Sequence, residues 1–287
     1  MKILSKYELI ANGKNPINIG IGLGDKESHN KKIINASLDF IERYKSTIYF
    51  FGTEKILNKE LLETFSLNKQ LEFVKCQKPE ESIIKFLLND TIQAIIRGSF
   101  GSSEFLRYLK KYLNVDQINR LALLETYRGE QFFFGPVGID ECNTLNKKII
   151  FLELAIRELQ KLNITPRISV LSGGRISDIG RDEIVDQTIR IAEELISLFK
   201  EKYTNIHISH NEILIEQALK NNSNLIIAPD GISGNLIYRT LVHLGGGKAF
   251  GAIYMGLNKT IIDTSRVGTI SEIEGALKIA FSLSNTK

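Results

Sequence analysis

With 287 residues, of which 43% are hydrophobic and 24% charged, the chain has the make-up of a folded globular protein, which excludes a disordered, fibrous or collagen-like one. Lysine and arginine exceed aspartate and glutamate by 37 − 33 = 4 and are scattered, so no nucleic-acid footprint is indicated, while a small anionic ligand stays compatible. Cys76 and Cys142 have neither metal-knuckle spacing nor a disulfide framework, and no apolar run is long enough for a signal or membrane segment; a reducing cytoplasm is the expected setting.

Apolar runs rich in β-branched and aromatic residues alternate with segments of helical period, the pattern of an α/β protein with a parallel sheet. In chain order, a predicted strand from Ile17 to Leu23 precedes a helix from Lys31 to Tyr44. Strand Thr47 to Phe51, helix Glu54 to Phe65 and strand Leu71 to Lys75 follow, then a helix from Pro79 to Leu88 whose proline suits a first helical position. Strand Ile92 to Arg97 and helix Phe105 to Leu113 complete the first run. The rhythm breaks in LALLETYRGEQFFFGPVGIDE, which reads as strands Arg120 to Glu125 and Gln131 to Phe134 with no helix between them, and this break is the expected lobe boundary. Helix Asn146 to Leu162, strand Arg167 to Leu171, helix Glu183 to Lys200 and strand Ile206 to Ser209 come next. The order continues with helix Glu212 to Lys220, strand Leu225 to Ala228, helix Ser233 to Leu244, strands Ala249 to Met255 and Thr260 to Asp263, and a helix near Ser271 to Leu283. No internal repeat and no low-complexity linker separates the halves.

Gly20-Ile-Gly22-Leu-Gly24-Asp25 follows a strand and precedes a helix, as cofactor-binding turns do, but its spacing is GxGxG and the next strand ends Phe50-Phe51-Gly52-Thr53 without an acid. A turn that simply reverses the chain explains it as well. His207 and His210 would need further ligands to hold zinc, and on a strand they face opposite sides, so no metal is expected. No GxSxG elbow supports a serine triad.

The run NLIIAPDGISGNLIYRTLVHLGGGKAFGAIYMGLNKTIIDTSRVGTISE, residues 224–272, joins a strand end, a small-residue turn, a helix, a glycine stretch, two strands and Ser265-Arg266. Small residues at such a turn leave backbone N–H groups for an anion, and an arginine fork suits phosphate or carboxylate. The same features also serve as a helix cap, a helix stop and a surface charge.

PDGISGNLIYRTL followed by KAFGAIYMGLNKTIIDTSR resembles the C-terminal signature of phosphate acetyl/butyryltransferases, a PD-x-x-x-GN-x-x-Y-K/R segment before GPI-x-QGL and D-x-SRG. IIRGSFGSSEFLR resembles that family's serine-rich turn and arginine, ISVLSGG its LSxST strand end, and SHNEILIEQAL its DGELQ-D-A segment; the resemblance spans roughly residues 90–287. Over the whole chain the sequence also resembles a narrower archaeal group, methanogenesis marker protein 4, the methyltransferase-related MtxX family. The resemblance implies an isocitrate/isopropylmalate-dehydrogenase-like α/β/α fold of two lobes with the active cleft between them. The first lobe is expected to comprise residues 1–122 and 267–287 and the second 123–266.

Carried over by motif, Arg107 stands where the acetyltransferases place an arginine against acyl phosphate, with Ser102 and Ser103 in the turn before it. Ser265 and Arg266 match the family's Ser-Arg pair. Glu272 stands where those enzymes have an aspartate that deprotonates the coenzyme A thiol, although Thr269-Ile-Ser-Glu272 also spells a capping box. Ser172 and Gly173 match the LSxST turn, and Asp230, Gly234 and Asn235 the PD-x-x-x-GN segment. Val267, Ala252 and Met255 depart from the family's glycine, proline and glutamine, and a second upstream arginine has no counterpart. The resemblance thus implies a cytoplasmic phosphate acyltransferase-like transferase of a methanogenic archaeon, with a phosphate, acyl-phosphate or coenzyme A-type ligand in the interlobe cleft and no metal or membrane partner. The alternative it implies is a non-catalytic or cofactor-binding subunit of a methyltransferase complex linked to methanogenesis. A homodimer and methyltransferase subunits are the protein partners it leaves open.

Overall fold

In a computed structural model, which describes residues 2–65 and 68–284, the chain forms two compact units, one from Ile3–Ile118 with the segment from Ala249 onward and one from Asn119–Lys248. The first begins α1 (Ile3–Ala11), β1 (Asn18–Gly22), α2 (Glu27–Tyr44), β2 (Thr47–Gly52), α3 (Lys59–Phe65), β3 (Leu71–Lys75), α4 (Pro79–Leu88), β4 (Ala94–Ile96) and α5 (Ser102–Leu113). The second contains β5 (Arg120–Glu125), β6 (Gln131–Gly135), α6 (Leu145–Lys161), β7 (Arg167–Val170), α7 (Glu183–Lys202), β8 (His207–His210), α8 (Ile215–Lys220), β9 (Leu225–Ile227) and α9 (Gly231–His243). The chain then forms β10 (Lys248–Tyr254), β11 (Thr260–Asp263) and α10 (Ile270–Ser284).

Each predicted strand is present, and the differences lie in the helices. Helix α1 escapes the sequence reading because only Ile3, Tyr7 and Ala11 of its nine residues are buried, a one-residue-wide stripe among polar neighbours. Helix α3 starts at Lys59 and not near Glu54, since the Asn58 side chain accepts the Leu61 N–H at 2.9 Å, and asparagine at that position starts a helix rather than continuing one. Helix α8 starts at Ile215, after Glu212 takes a left-handed φ of 54° that no helix accommodates. The return to the first unit comes at Ala249, ahead of the expected residue 267, because β11 pairs in parallel with β4 and β10 pairs with β11.

In the first unit the strands run in the order β3-β2-β1-β4-β11-β10, parallel except for the antiparallel β10–β11 pair. Strand β1 leads outward to β2 and β3, and α4 then carries the chain back to β4 on the other flank of β1. The order reverses between β1 and β4, and in open α/β sheets such a reversal leaves a crevice outside the carboxyl ends of the strands. Helices α4 and α5 cover the face bearing Phe51, Ile95 and Ile261, with Ile83, Ile84, Leu87, Phe105 and Leu109 buried between. Helix α10 packs on β4, β11, α1 and α2. In the second unit the order is β5-β6-β9-β7-β8, with β5–β6 antiparallel and the remaining pairs parallel.

Glycines set the spacing of β1. A Cβ on Gly20 would lie 2.5 Å from Ile92 and one on Gly22 2.3 Å from the Phe100 ring, so both side-chain positions are already filled by neighbours. Gly24 approaches the Ser99 carbonyl in the same way, at 2.5 Å. Gly22→Ala should therefore destabilise the chain by about 1–3 kcal/mol, as overpacking a tight core does. Gly101→Ala, where a Cβ meets nothing within 4 Å, should change stability by at most about 0.5 kcal/mol; denaturant unfolding of the full chain measures both.

Candidate functional site

At the carboxyl ends of β1, β4 and β11 several polar side chains converge on two short backbone segments. Arg97, just past β4 and 6% exposed, donates from Nε to the Asp263 carboxylate and from its two terminal nitrogens to the carbonyls of Phe100 and Thr264. Gly98 turns the chain with φ 62°, and a Cβ there would lie 2.2 Å from the Gly22 carbonyl, so only glycine lets the two strand ends touch. The Ser99 hydroxyl accepts the Gly24 N–H at 2.7 Å and donates to Asn30 Oδ1 at 2.6 Å, while Asn30 Nδ2 donates to the Gly24 carbonyl at 2.7 Å. The Gly20–Gly24 turn is thus packed from within by Ile92, Phe100 and Ser99, which favours its reading as a packing device.

Downstream of β11, Thr264 Oγ1 donates to the Gly98 carbonyl at 3.2 Å, and Glu272 Oε1 accepts the Ser265 N–H at 2.8 Å. Glu272 is buried at 2% exposure in the first turn of α10. Its carboxylate reaches beyond Thr269 to the turn before the helix, with Oε2 2.4 Å from where a Gly268 Cβ would stand. The Ser265 carbonyl also accepts the Gly268 N–H at 3.0 Å. Arg266 beside it is exposed and forms no ion pair among the described residues.

Ser102 and Ser103 open α5 behind Gly101, which supplies no side-chain cap, so the first-turn N–H groups are open to an anion. Arg107, one turn on, is exposed, pairs with Glu104 at 3.0 Å and lies over the Tyr108 ring at 4.1 Å. Negative charge also gathers here: burial pushes the Glu80 carboxyl up, and the Glu104 and Asp25 carboxylates add to it.

In the second unit, the candidate residues are engaged with their own chain. Asp230 caps α9, accepting the Ser233 N–H at 2.8 Å, and Asn235 Nδ2 donates to the Val137 carbonyl at 2.9 Å. A Cβ on Gly234 would lie 2.0 Å from the Pro136 carbonyl and one on Gly231 1.7 Å from that of Gly138. The small residues of this motif therefore let α9 dock closely on the 136–138 segment. Ser172 Oγ donates to the Gly174 carbonyl at 2.8 Å and lies 2.8 Å from His210 Nε2, while Gly173 N–H donates to Thr188 Oγ1 at 2.8 Å. His207 is exposed and His210 half-buried, and among the described residues no group of three His, Cys, Asp or Glu side chains is gathered that could hold a metal. Arg120 and Glu141 form a buried pair at 2.7 Å; burial raises the Glu141 carboxyl and lowers the Lys148 ammonium nearby.

His29, Asn30 and Arg97 were missed in the sequence, as was the Ser172–His210 pair. Arg97 carried one signal, a lone charge ending an apolar strand run; His29 carried none.

Burial holds the imidazoles of His29 and His210 below their ordinary value of 6.5; Lys32, Lys26 and Arg97 add to the effect at His29, while Glu193 and Glu212 oppose it at His210. Both rings take up protons more readily unfolded, so their contribution is fully present above about pH 6.5 and is lost as pH falls through the folded value. The denaturation midpoint should drop on acidification below that point, with a shallower slope in His29→Asn. Glu272→Ala, which strands the Ser265 N–H, should cost about 1–3 kcal/mol by denaturant unfolding, and Glu272→Gln, which keeps an acceptor oxygen, at most about 1 kcal/mol.

Comparison with known proteins accords with this architecture. The phosphate acetyl/butaryl transferase family model matches residues 91–281. The chain is 37% identical over 94% of both lengths to a Methanosarcina barkeri protein named "Putative methyltransferase mtx subunit X". It is 36% identical, over 77% of this chain and 91% of the other, to an uncharacterised methyltransferase of Methanocaldococcus jannaschii. Among solved structures it superimposes on a branched-chain phosphotransacylase from Enterococcus faecalis with TM-score 0.70 at 17% identity, covering 94% of this chain and all of that one. A phosphotransacetylase from Streptococcus pyogenes gives TM-score 0.70 at 15% identity with 99% of each chain covered. No helix among the described residues is long and apolar enough to cross a membrane. A phosphotransacetylase-like α/β fold, a family match over two thirds of the chain and the methanogen relatives together place it: the chain belongs to the phosphate acetyl/butaryl transferase family, within its MtxX methyltransferase-subunit branch.

Proposed function

We propose that this chain is a phosphate acyltransferase-type transferase that binds a small anionic ligand, with Ser265 and Arg266 as the principal contacts. The observation that carries the reading is the Ser265–Arg266 turn itself: Glu272 takes up the Ser265 N–H and Arg97 the carbonyl of Thr264 just before it, while the Arg266 guanidinium is left exposed and without an acid among the described residues. A rigid turn presenting an unneutralised guanidinium suits a bidentate phosphate or carboxylate. Ser102, Ser103 and the uncapped start of α5 offer a second set of donors, and Arg107 can reach an anion by exchanging Glu104 for it, since that ion pair is exposed and worth little. In this reading Glu272 is a positioning residue that acts through Ser265.

The reaction class follows from such donors. A thiolate sulfur attacks the acyl carbonyl carbon, the carbon–oxygen bond to phosphate breaks, and inorganic phosphate leaves with its charge held by arginine and hydroxyl donors. The relatives' names favour a second reading, a subunit of a methyltransferase assembly, because those proteins share more identity with this chain than the acyltransferases do. Its best cofactor candidate, the Gly20–Gly24 turn, is filled by neighbouring side chains.

Calorimetric titration separates the two. Acetyl phosphate and coenzyme A should bind the wild-type chain, and Arg266→Gln should weaken acetyl phosphate binding about 10-fold or more, the loss of one charge-assisted contact. Binding of S-adenosylmethionine with no response to either acyl-transfer ligand would replace the first reading with the second.

A further inference from the structure

Helix α9 turns Gly231, Gly234 and Val242 inward and leaves its opposite face exposed. Ile232, Leu236 and Thr240 on that face, with Leu244 just past the helix, recur every four residues, the spacing of the ridges by which helices pack into one another's grooves. The strip continues at both ends. Gly231 gives its N–H to the Glu141 carbonyl at 3.0 Å and lies against Gly138, which sets Ile139 beside the first turn; Tyr127 lies against Gly246, just after the last. Ile139, Ile232, Leu236, Leu244 and Tyr127 are each at least 60% exposed, and large apolar side chains gathered in one exposed line mark a surface that another molecule covers.

The charges on the strip identify that molecule. Asp140, next to Ile139, is exposed and 3.9 Å from Arg120, whose Nε is given to Glu141. Arg239 is exposed and forms no ion pair among the described residues. Acid and arginine stand on opposite sides of Leu236, so the strip is its own complement, the requirement for a contact across a twofold axis. At a rise of about 1.5 Å per residue, Arg239 lies about 4.5 Å beyond Leu236 and Gly231 about 7.5 Å before it, a difference that an arginine side chain spans. Antiparallel copies crossing at Leu236 would bring each Arg239 to the Asp140 end of the other, whereas parallel copies would set arginine against arginine.

We propose that this strip is the contact of a twofold homodimer, in which two α9 helices cross antiparallel at Leu236 and Arg239 of each copy pairs with Asp140 of the other. The contact uses the face of α9 opposite Gly234, and it forms without the anionic ligand.

Sedimentation equilibrium of the wild-type chain at micromolar concentration should give twice the mass of the single chain. Leu236→Glu, at an exposed position, should raise the dimer dissociation constant about 30-fold or more while the circular dichroism spectrum stays unchanged. Leu236→Cys should cross-link to its own copy on oxidation by copper phenanthroline, because a residue on the axis meets itself; the wild-type chain, whose Cys76 is half-buried and Cys142 buried, should not. Asp140→Arg and Arg239→Asp should each weaken the dimer about 10-fold, and the double variant should recover wild-type strength, as a direct charge pair does. A monomeric wild-type chain would overturn the proposal and give the strip to a different protein. A dimer that survives Leu236→Glu, or a double reversal no stronger than either single one, would overturn it as well.

Discussion

The Arg97 guanidinium, sealed past the end of β4, gives its protons to the Asp263 carboxylate and to the backbone carbonyls of Phe100 and Thr264. Desolvating such a charge is expensive, and the arrangement holds only because its donors meet both a counter-charge and backbone acceptors. Loss of either partner would leave an uncompensated buried charge, which costs about 3–5 kcal/mol in comparable pairs. The rest of the site inherits its geometry from this contact. With Asp263 and Thr264 fixed against β4, Ser265 emerges where Glu272 takes up its N–H, and Arg266 beside it is exposed.

Close backbone approach is the second constraint. Gly98 against the Gly22 carbonyl, and Gly24 against that of Ser99, bring the ends of β4 and β1 nearer than any side chain permits. The second unit uses the same device where Gly231 and Gly234 seat α9 on the 136–138 segment. In both places glycines that resemble ligand cradles in the sequence are occupied by protein, and the open donors lie elsewhere, on α5 and at Arg266.

The strands were legible because each is a short apolar run bounded by turn residues, and the doubly layered arrangement follows from their alternation with helices. Helix α1 was not, since a stripe of three residues falls below the noise of composition, and the onset of α3 hid in the capping chemistry of Asn58. Ser265, Arg266 and Glu272 could be picked out because they sit within eight residues of one another in a recognisable motif. Arg97 could not, for what gives it meaning is a neighbour more than 160 residues away, brought near by the β4–β11 pairing. Glu272 shows the middle case: sequence set a base against a cap within its own helix, and the structure shows its carboxylate bonded to the turn before that helix.

Strand β11 pairs with β4 across 166 residues of sequence, and the Ser282 hydroxyl donates to the Tyr7 carbonyl across 275 residues. During synthesis the ribosome releases β1 to β4 long before their final neighbours exist, so the edge of β4 and the Arg97 side chain wait unsatisfied while the whole intervening unit is made. Contacts of such sequence separation close late because their loop entropy must be met before any of them stabilises the chain. Nascent protein therefore exposes an apolar parallel edge for most of its translation time, an arrangement that calls for a chaperone or for rapid folding of residues 119–248 in the interval. It also means that the Ser265–Arg266 turn takes its place only after residues 119–248 have been made.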